Sequence, residues 1–219
     1  MSEPEHIGKS KDRIIAIIEQ MQPHLNDPAH LARVEAYRQD RLARELREQM
    51  EIADLRGIPK DPAVRTIALT AEFRLTSAIK LMKHVFKDRA ENEPRVLAVG
   101  GGTGCGKSCA GAWAVMNHTK LARFRTAHQC QKIDTEALFA DLLVIDEIGT
   151  DRDVAPIADI LLERWHKGAV TILLGNVTKD FVWDKCFSPP MQSRAAEQQE
   201  VKKIYFFYQL RDRDMRRVR

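Results

Sequence analysis

Val96-Leu97-Ala98-Val99-Gly100-Gly101-Gly102-Thr103-Gly104-Cys105-Gly106-Lys107-Ser108 is the stretch on which the reading of the chain turns. Its apolar residues form a buried strand, and residues 101–108 fit G-x-x-x-x-G-K-[ST] in the strand–loop–helix order the pattern requires. The glycines let successive backbone amides turn toward one centre, where they can cradle the β- and γ-phosphates of a nucleotide. A helix predicted over Lys107–Asn117 adds the positive end of its dipole. Lys107 brings a mobile charge to the same oxygens, and the Ser108 hydroxyl can ligate Mg²⁺. The expected nucleotide-binding set is therefore Gly101, Gly102, Thr103, Gly104, Cys105, Gly106, Lys107, Ser108 and Cys109, with Asp146 added from further along the chain. ATP is the expected nucleotide.

Asp146 closes the run Asp141-Leu142-Leu143-Val144-Ile145-Asp146-Glu147. Four apolar residues make a central strand, and acids stand at its C-terminal edge, where ligands bind in open α/β sheets. Asp146 is expected to hold Mg²⁺ directly or through water. Glu147 is expected to orient, or take a proton from, the water that attacks the γ-phosphate. An acidic strand end facing solvent is the plainer reading; a phosphate loop about forty residues upstream weighs against it. Thr171-Ile172-Leu173-Leu174-Gly175-Asn176 is another buried strand with a polar end. Beside the Asp146 strand, Asn176 would reach the attacking water or a γ-phosphate oxygen. Capping of the next helix is its competing role, and Thr178 already suits that position.

Strands are predicted at Arg95–Val99, Arg123–Ala127, Leu142–Ile145, Val170–Leu174 and Lys203–Phe207. Helices are predicted at Lys107–Asn117, Ile133–Ala140, Pro156–Trp165, Lys179–Cys186 and Pro190–Gln198. This alternation calls for a parallel sheet covered on both faces. Upstream, Asp12–Met21 reads as a short helix ended by Pro23. Asp27 can cap a helix that opens on Pro28 and runs to Glu51 or slightly beyond. Its apolar stripe is thin (Leu31, Val34, Leu42, Leu46 and Met50) among many charges, so it either docks on a partner or packs along its own domain. Gly57-Ile58-Pro59 and Asp61-Pro62 mark the expected boundary between a helical domain, residues 1–56, and an ATPase domain, residues 57–219. An amphipathic helix over Thr70–Lys87 should pack on the sheet.

Of 219 residues, 44% are apolar and 30% charged, with a formal net charge of +4, an ordinary globular balance. The excess positive charge gathers at Lys202, Lys203, Arg211, Arg213, Arg216, Arg217 and Arg219, either to meet phosphates or as a solvated tail. Cys105, Cys109, Cys130 and Cys186 form no zinc or disulfide pattern, which fits a reduced cytoplasmic compartment. No apolar run approaches the ~20 residues that span a bilayer, so no membrane partner is expected.

The phosphate loop, Asp141–Gly149, the Leu161-Leu162-Glu163-Arg164-Trp165 helix end and the Asn176 strand together resemble the AAA+ ATPases of the DnaC-type helicase loaders, whose core is shared by IstB-type transposition helpers. The resemblance covers roughly Gly57 to Phe207. It implies an α/β P-loop domain with a five-stranded parallel sheet in the order 5-1-4-3-2 and a reduced C-terminal lid. It implies ATP hydrolysis with Mg²⁺, and Arg194, within Met191-Gln192-Ser193-Arg194, as an arginine finger reaching a neighbouring subunit's γ-phosphate, hence a homo-oligomer. A surface ion pair with Glu197 or Glu200 is the alternative for Arg194. A hexameric replicative helicase would bind the N-terminal helices. Single-stranded DNA is a further implied partner, although the short Ile133–Ala140 helix leaves little of the family's DNA-contacting region. A second sensor arginine is expected among Arg211, Arg213 and Arg216. Under the IstB-type reading the partners are instead duplex DNA and a transposase.

Overall fold

Strand β1 (Arg95–Gly100) is buried at every position and lies inside the sheet, between β4 (Val170–Gly175) and β5 (Tyr205–Gln209). The computed structural model describes residues 27–69, 77–86, 95–132, 135–149, 154–193, 196 and 205–210. β2 (Ala122–Thr126) and β3 (Leu142–Ile148) complete a sheet whose order is β2-β3-β4-β1-β5, every pairing parallel. Counted from the opposite edge this is 5-1-4-3-2, the expected order.

Alternation of side chains along each strand builds two cores. Leu97, Val99, Leu142, Val144, Ile172 and Leu174 face one layer, with helices α2 (Pro62–Leu69), α3 (Ser77–Phe86) and α4 (Lys107–Met116). Val96, Ala98, Leu143, Ile145 and Leu173 face the other, with α6 (Ala155–His166). Sheets buried on both faces favour strands that are apolar throughout, as Val96–Val99 and Leu142–Ile145 are.

Helix α1 (Pro28–Leu55) starts where expected: the Asp27 carboxylate accepts from the Ala29 N–H at 3.0 Å. The chain forms two compact units, Met1–Glu51 and Ile52–Arg219. α2 replaces an expected turn. Asp61 accepts from the N–H groups of Ala63 (2.9 Å) and Val64 (3.1 Å), so Asp61-Pro62 opens a helix as Asp27-Pro28 does. A 3-10 turn (His128–Lys132) follows β2, and α5 (Thr135–Phe139) falls within the expected Ile133–Ala140 helix. α7 (Lys179–Phe181) is capped by Thr178 and widens into a π turn over Val182–Cys186, where a single helix is expected. The strands agree with expectation to within one residue at β1, β2 and β4, while β3 continues to Ile148. The helix expected at Asp12–Met21, residues 70–76 of the Thr70–Lys87 helix and the start of the Lys203 strand lie outside the described residues. Among the described residues no helix is long and apolar enough to cross a membrane.

Arg164 holds the sheet to one of its covering layers. Its guanidinium is 1% exposed and donates to the carbonyls of Leu138 (2.9 Å), Ala140 (2.7 Å) and Val170 (2.6 Å) and to Thr171 Oγ1 (2.9 Å). Burial pulls its pKa down to about 9, with the nearby Asp141 charge opposing. The dense set of acceptors is what allows a guanidinium to sit at that depth.

Candidate nucleotide site

The register of three strands brings the sequence motifs to one sheet edge. Gly175, the last residue of β4, pairs with Gly100 of β1 on one side and Ile148 of β3 on the other. The segments that leave β1, β3 and β4 therefore start side by side.

From β1 the chain turns through residues 101–106 into α4. Gly106 takes the N-cap position at φ 85°, a left-handed conformation costly for any residue bearing a Cβ. No side-chain cap accepts from the first amides of α4, which leaves them pointed at the loop's concavity. Lys107 folds back over that loop. Its ammonium donates to the carbonyls of Gly101 (2.6 Å) and Gly102 (2.8 Å) and lies 3.4 Å from Cys105 Sγ. Thr103 is exposed, and Gly102, Gly104, Cys105 and Ser108 are half-buried. Cys109 turns its side chain to the core that holds Leu97 and Val99, so it can offer a phosphate only its backbone amide.

From β3 comes the carboxylate. Asp146 is 5% exposed and stays in the ladder, paired with Thr126, while its carbonyl accepts from the Ala127 N–H at 2.8 Å. Burial pushes the Asp146 carboxyl above its usual range. The Ser108 hydroxyl that donates to it, the Glu147 N–H at 2.8 Å and the Lys107 charge all pull the other way. Ser108 and Asp146, thirty-eight positions apart, are thus in contact. A hydroxyl and a carboxylate side by side form a donor set that suits Mg²⁺, which takes one or two protein oxygens and fills its octahedron with water and phosphate oxygens. Among the described residues no cluster of three or more His, Cys, Asp or Glu offers a larger metal site.

Glu147 follows at φ 63°, the one non-glycine residue with positive φ among those described, and is exposed. The β3–β4 register slips between Ile145 and Ile148, so Glu147 stands in a bulge that turns it out of the sheet. Nothing in the sequence announces that bulge. Asn176 is exposed and comes directly after Gly175. It leaves the helix cap to Thr178, whose hydroxyl accepts from the Phe181 N–H at 3.2 Å. Arg194, its alternative partners Glu197 and Glu200, and Arg211, Arg213 and Arg216 lie outside the described residues.

Arg56 is a residue the sequence reading passes over. Its guanidinium donates to the carbonyls of Val115, Met116 (3.3 Å) and His118 (3.2 Å) at the C-terminal end of α4, the helix whose other end is the glycine-rich loop. Its own carbonyl accepts from the Phe124 N–H of β2 at 2.7 Å. The segment at Gly57-Ile58-Pro59 is therefore anchored to the sheet through its neighbour Arg56. Arg56 directly preceding that punctuation was the available signal.

No family model matches the chain, and no curated protein does. Among solved structures it is similar in fold to domain III of the Thermotoga maritima replication initiation protein DnaA, with 15% identity and a TM-score of 0.46 over 69% of this chain and 68% of that one. It is also similar to DnaI, with 14% identity and a TM-score of 0.43 over 68% of this chain and 92% of that one. A primosome component from Streptococcus pyogenes serotype M3 matches at 19% identity and a TM-score of 0.41, over 70% and 82%. The chain spans 43% of the length of a DNA replication initiation factor that it matches at 12% identity and a TM-score of 0.42.

Proposed function

We propose that this chain binds and hydrolyses ATP, and that its ATPase cycle controls the loading of a hexameric replicative helicase onto single-stranded DNA. The observation that carries the ATPase reading is the contact between Ser108 of the phosphate loop and Asp146 of β3. It sets a phosphate cradle and an acidic strand end within one hydrogen bond of each other.

In this reading the loop amides and the first turn of α4 receive the β- and γ-phosphates. Lys107 exchanges the Gly101 and Gly102 carbonyls for phosphate oxygens. Ser108 and Asp146 would hold Mg²⁺, which supplies neutralisation of the phosphate charge when bound. Glu147, at the exposed side of its bulge, takes a proton from the attacking water, and Asn176 orients that water. Arg194 of a neighbouring copy completes the site, so turnover depends on assembly.

The helicase part of the proposal rests on the sequence resemblance at Leu142–Gly149, and assigns helicase binding to residues 1–56. Its test is co-purification. A hexameric helicase from the native host should be retained by the full chain and lost when residues 1–56 are deleted. Retention of duplex DNA and a transposase, with steep salt dependence and no helicase, would replace the loader by the transposition helper.

A further inference from the structure

A cavity of about 320 Å³ opens at the far end of α4 from the glycine-rich loop. It is lined by Lys83 of α3, by Trp113 and Ala114 of α4, and by Asn117, His118 and Thr119 just beyond that helix. Trp113 follows Lys107 by six positions, about 9 Å along the helix axis, and the cavity shares no residue with the site at Lys107, Ser108 and Asp146.

The cavity is aromatic on one wall, with a cation over that wall. Trp113 is half-buried against the core that holds Leu97 and Val99, and it also lines the cavity. Exposed Lys83 sets its ammonium over the indole, 5.3 Å from the ring centroid. Asn117 Nδ2 donates to the Trp113 carbonyl (2.9 Å), and the Lys120 N–H donates to His118 Nδ1 (3.3 Å), which together hold the turn that follows the helix.

Its surroundings carry one sign of charge. Helices α2, α3 and α4 and the chain from Asn117 to Lys132 contain no Asp or Glu. Lys80 and Lys120 are exposed, and Lys80 stands three positions before Lys83, a neighbour on the surface of α3. A helix C-terminus ordinarily presents bare carbonyls and partial negative charge. Here Arg56 donates to the carbonyls of Val115, Met116 and His118, which offsets that charge. A flat π face, a mobile cation above it and further cations nearby suit a nucleobase with its phosphate, the base on the indole and the charge on the ammonium. An acidic peptide would engage the lysines and leave the ring unused.

We propose that this cavity binds a nucleotide unit, its base stacked on Trp113 and its phosphate on Lys83. Where the unit belongs to a single strand, Lys80 and Lys120 meet the phosphates of its neighbours. The Lys83 ammonium leaves the ring face for the phosphate as the base enters, a movement its four-carbon stem allows. Free nucleotides and single-stranded nucleic acid present this same chemistry. The inference does not rest on the ATPase reading, because no lining residue belongs to that site.

Titration of the full chain with deoxyadenosine monophosphate, and with an oligodeoxyadenylate of about twelve nucleotides, tests it. Neither ligand carries the β- and γ-phosphates assigned to the glycine-rich loop, so failure here leaves the ATPase reading untouched. Saturable quenching of tryptophan fluorescence is expected. Quenching by the oligonucleotide at far lower concentration makes a single strand the ligand; comparable affinities make it the free nucleotide. Trp113→Phe should remove the quenching, while the anisotropy of a labelled oligonucleotide shows binding within about ten-fold of wild type. Trp113→Ala should weaken binding about ten- to a hundred-fold. Lys83→Glu should weaken binding and lower the slope of log affinity against log salt by about 0.7, the share of one phosphate contact. Lys83 is exposed, so that variant keeps the test open should Trp113→Ala fail to fold. Absence of quenching by both ligands would overturn the proposal. So would quenching that survives Trp113→Phe, binding indifferent to Lys83→Glu, or displacement of the oligonucleotide by polyglutamate as readily as by unlabelled strand.

Discussion

Glu147 shows how much of the site a residue list can give and where it stops. Its identity, and its position after a buried strand, are read directly from Asp141–Glu147. Its conformation is not, because φ 63° arises from a slip of β3 against β4, and that depends on how Ile148 meets Gly175. Holding a glutamate in the left-handed region costs about 1 kcal/mol or more, a strain kept where the surroundings impose it. With Glu147 as base, Glu147→Gln should lower ATP turnover by about 10²–10⁴-fold while ATP affinity, measured by equilibrium binding, changes little. Unchanged turnover would remove Glu147 from the mechanism. The cysteines separate by burial in the same way. Burial pushes the Cys186 thiol up to about 12, so the thiolate that alkylating reagents need is almost absent near neutral pH. Alkylation of the native chain at pH 8 should spare Cys186 and reach half-buried Cys105, and unfolding should expose both. Mass spectrometry of the labelled peptides reads the difference, and early labelling of Cys186 in the native chain would contradict the burial.

Among the elements, what the sequence displays depends on whether the controlling interaction is local. Strands β1, β2 and β4 are legible to within a residue because burial on both faces demands unbroken apolar runs, whereas β3 runs three residues past its expected end. The helix at Pro62–Leu69 was equally legible in principle, since Asp61-Pro62 repeats the Asp27-Pro28 start, but eight residues behind two prolines also read as punctuation. The π turn at Val182–Cys186 and the Arg164 anchor answer to distant packing, and no local pattern encodes them. Helix α4 makes the same point through Gly111. A Cβ built there would lie 2.6 Å from Leu174 Cδ1, 2.9 Å from Val144 Cγ1 and 3.3 Å from Phe124 Cε2, so the helix sits against three strands at a distance only glycine allows. Those neighbours are side-chain atoms within a filled core, with little room to retreat. Gly111→Ala, although it favours the helix intrinsically, should destabilise the chain by about 1–3 kcal/mol through overpacking. Denaturant titration measures this, and a stabilised variant would show that α4 can lift from the sheet without loss.

At the scale of the molecule, the sheet order came from resemblance, whereas the β-α alternation alone required only a parallel sheet with two covered faces. The order matters because it puts β4 between β3 and β1, with Gly175 in register with both Gly100 and Ile148. Lys107, Ser108 and Asp146 then share one edge, and any ligand that fills that edge must stabilise the unit Ile52–Arg219 as a whole. A slowly hydrolysed ATP analogue with Mg²⁺ at about 100 times its Kd should add about 2.7 kcal/mol to the stability of that unit. For a chain of this size each kcal/mol moves Tm by about 2–4 °C, so the expected rise is about 5–10 °C. All three tryptophans, Trp113, Trp165 and Trp183, belong to that unit, so their fluorescence reports its melting without a contribution from Met1–Glu51. Lys107→Ala should abolish the rise. It should leave the ligand-free Tm within about 2 °C, because Lys107 is half-buried and its bonds to the Gly101 and Gly102 carbonyls are ones water can replace. An equal rise in wild type and Lys107→Ala would mean that the nucleotide stabilises some other surface, and the loop at Gly101–Ser108 would lose its assignment.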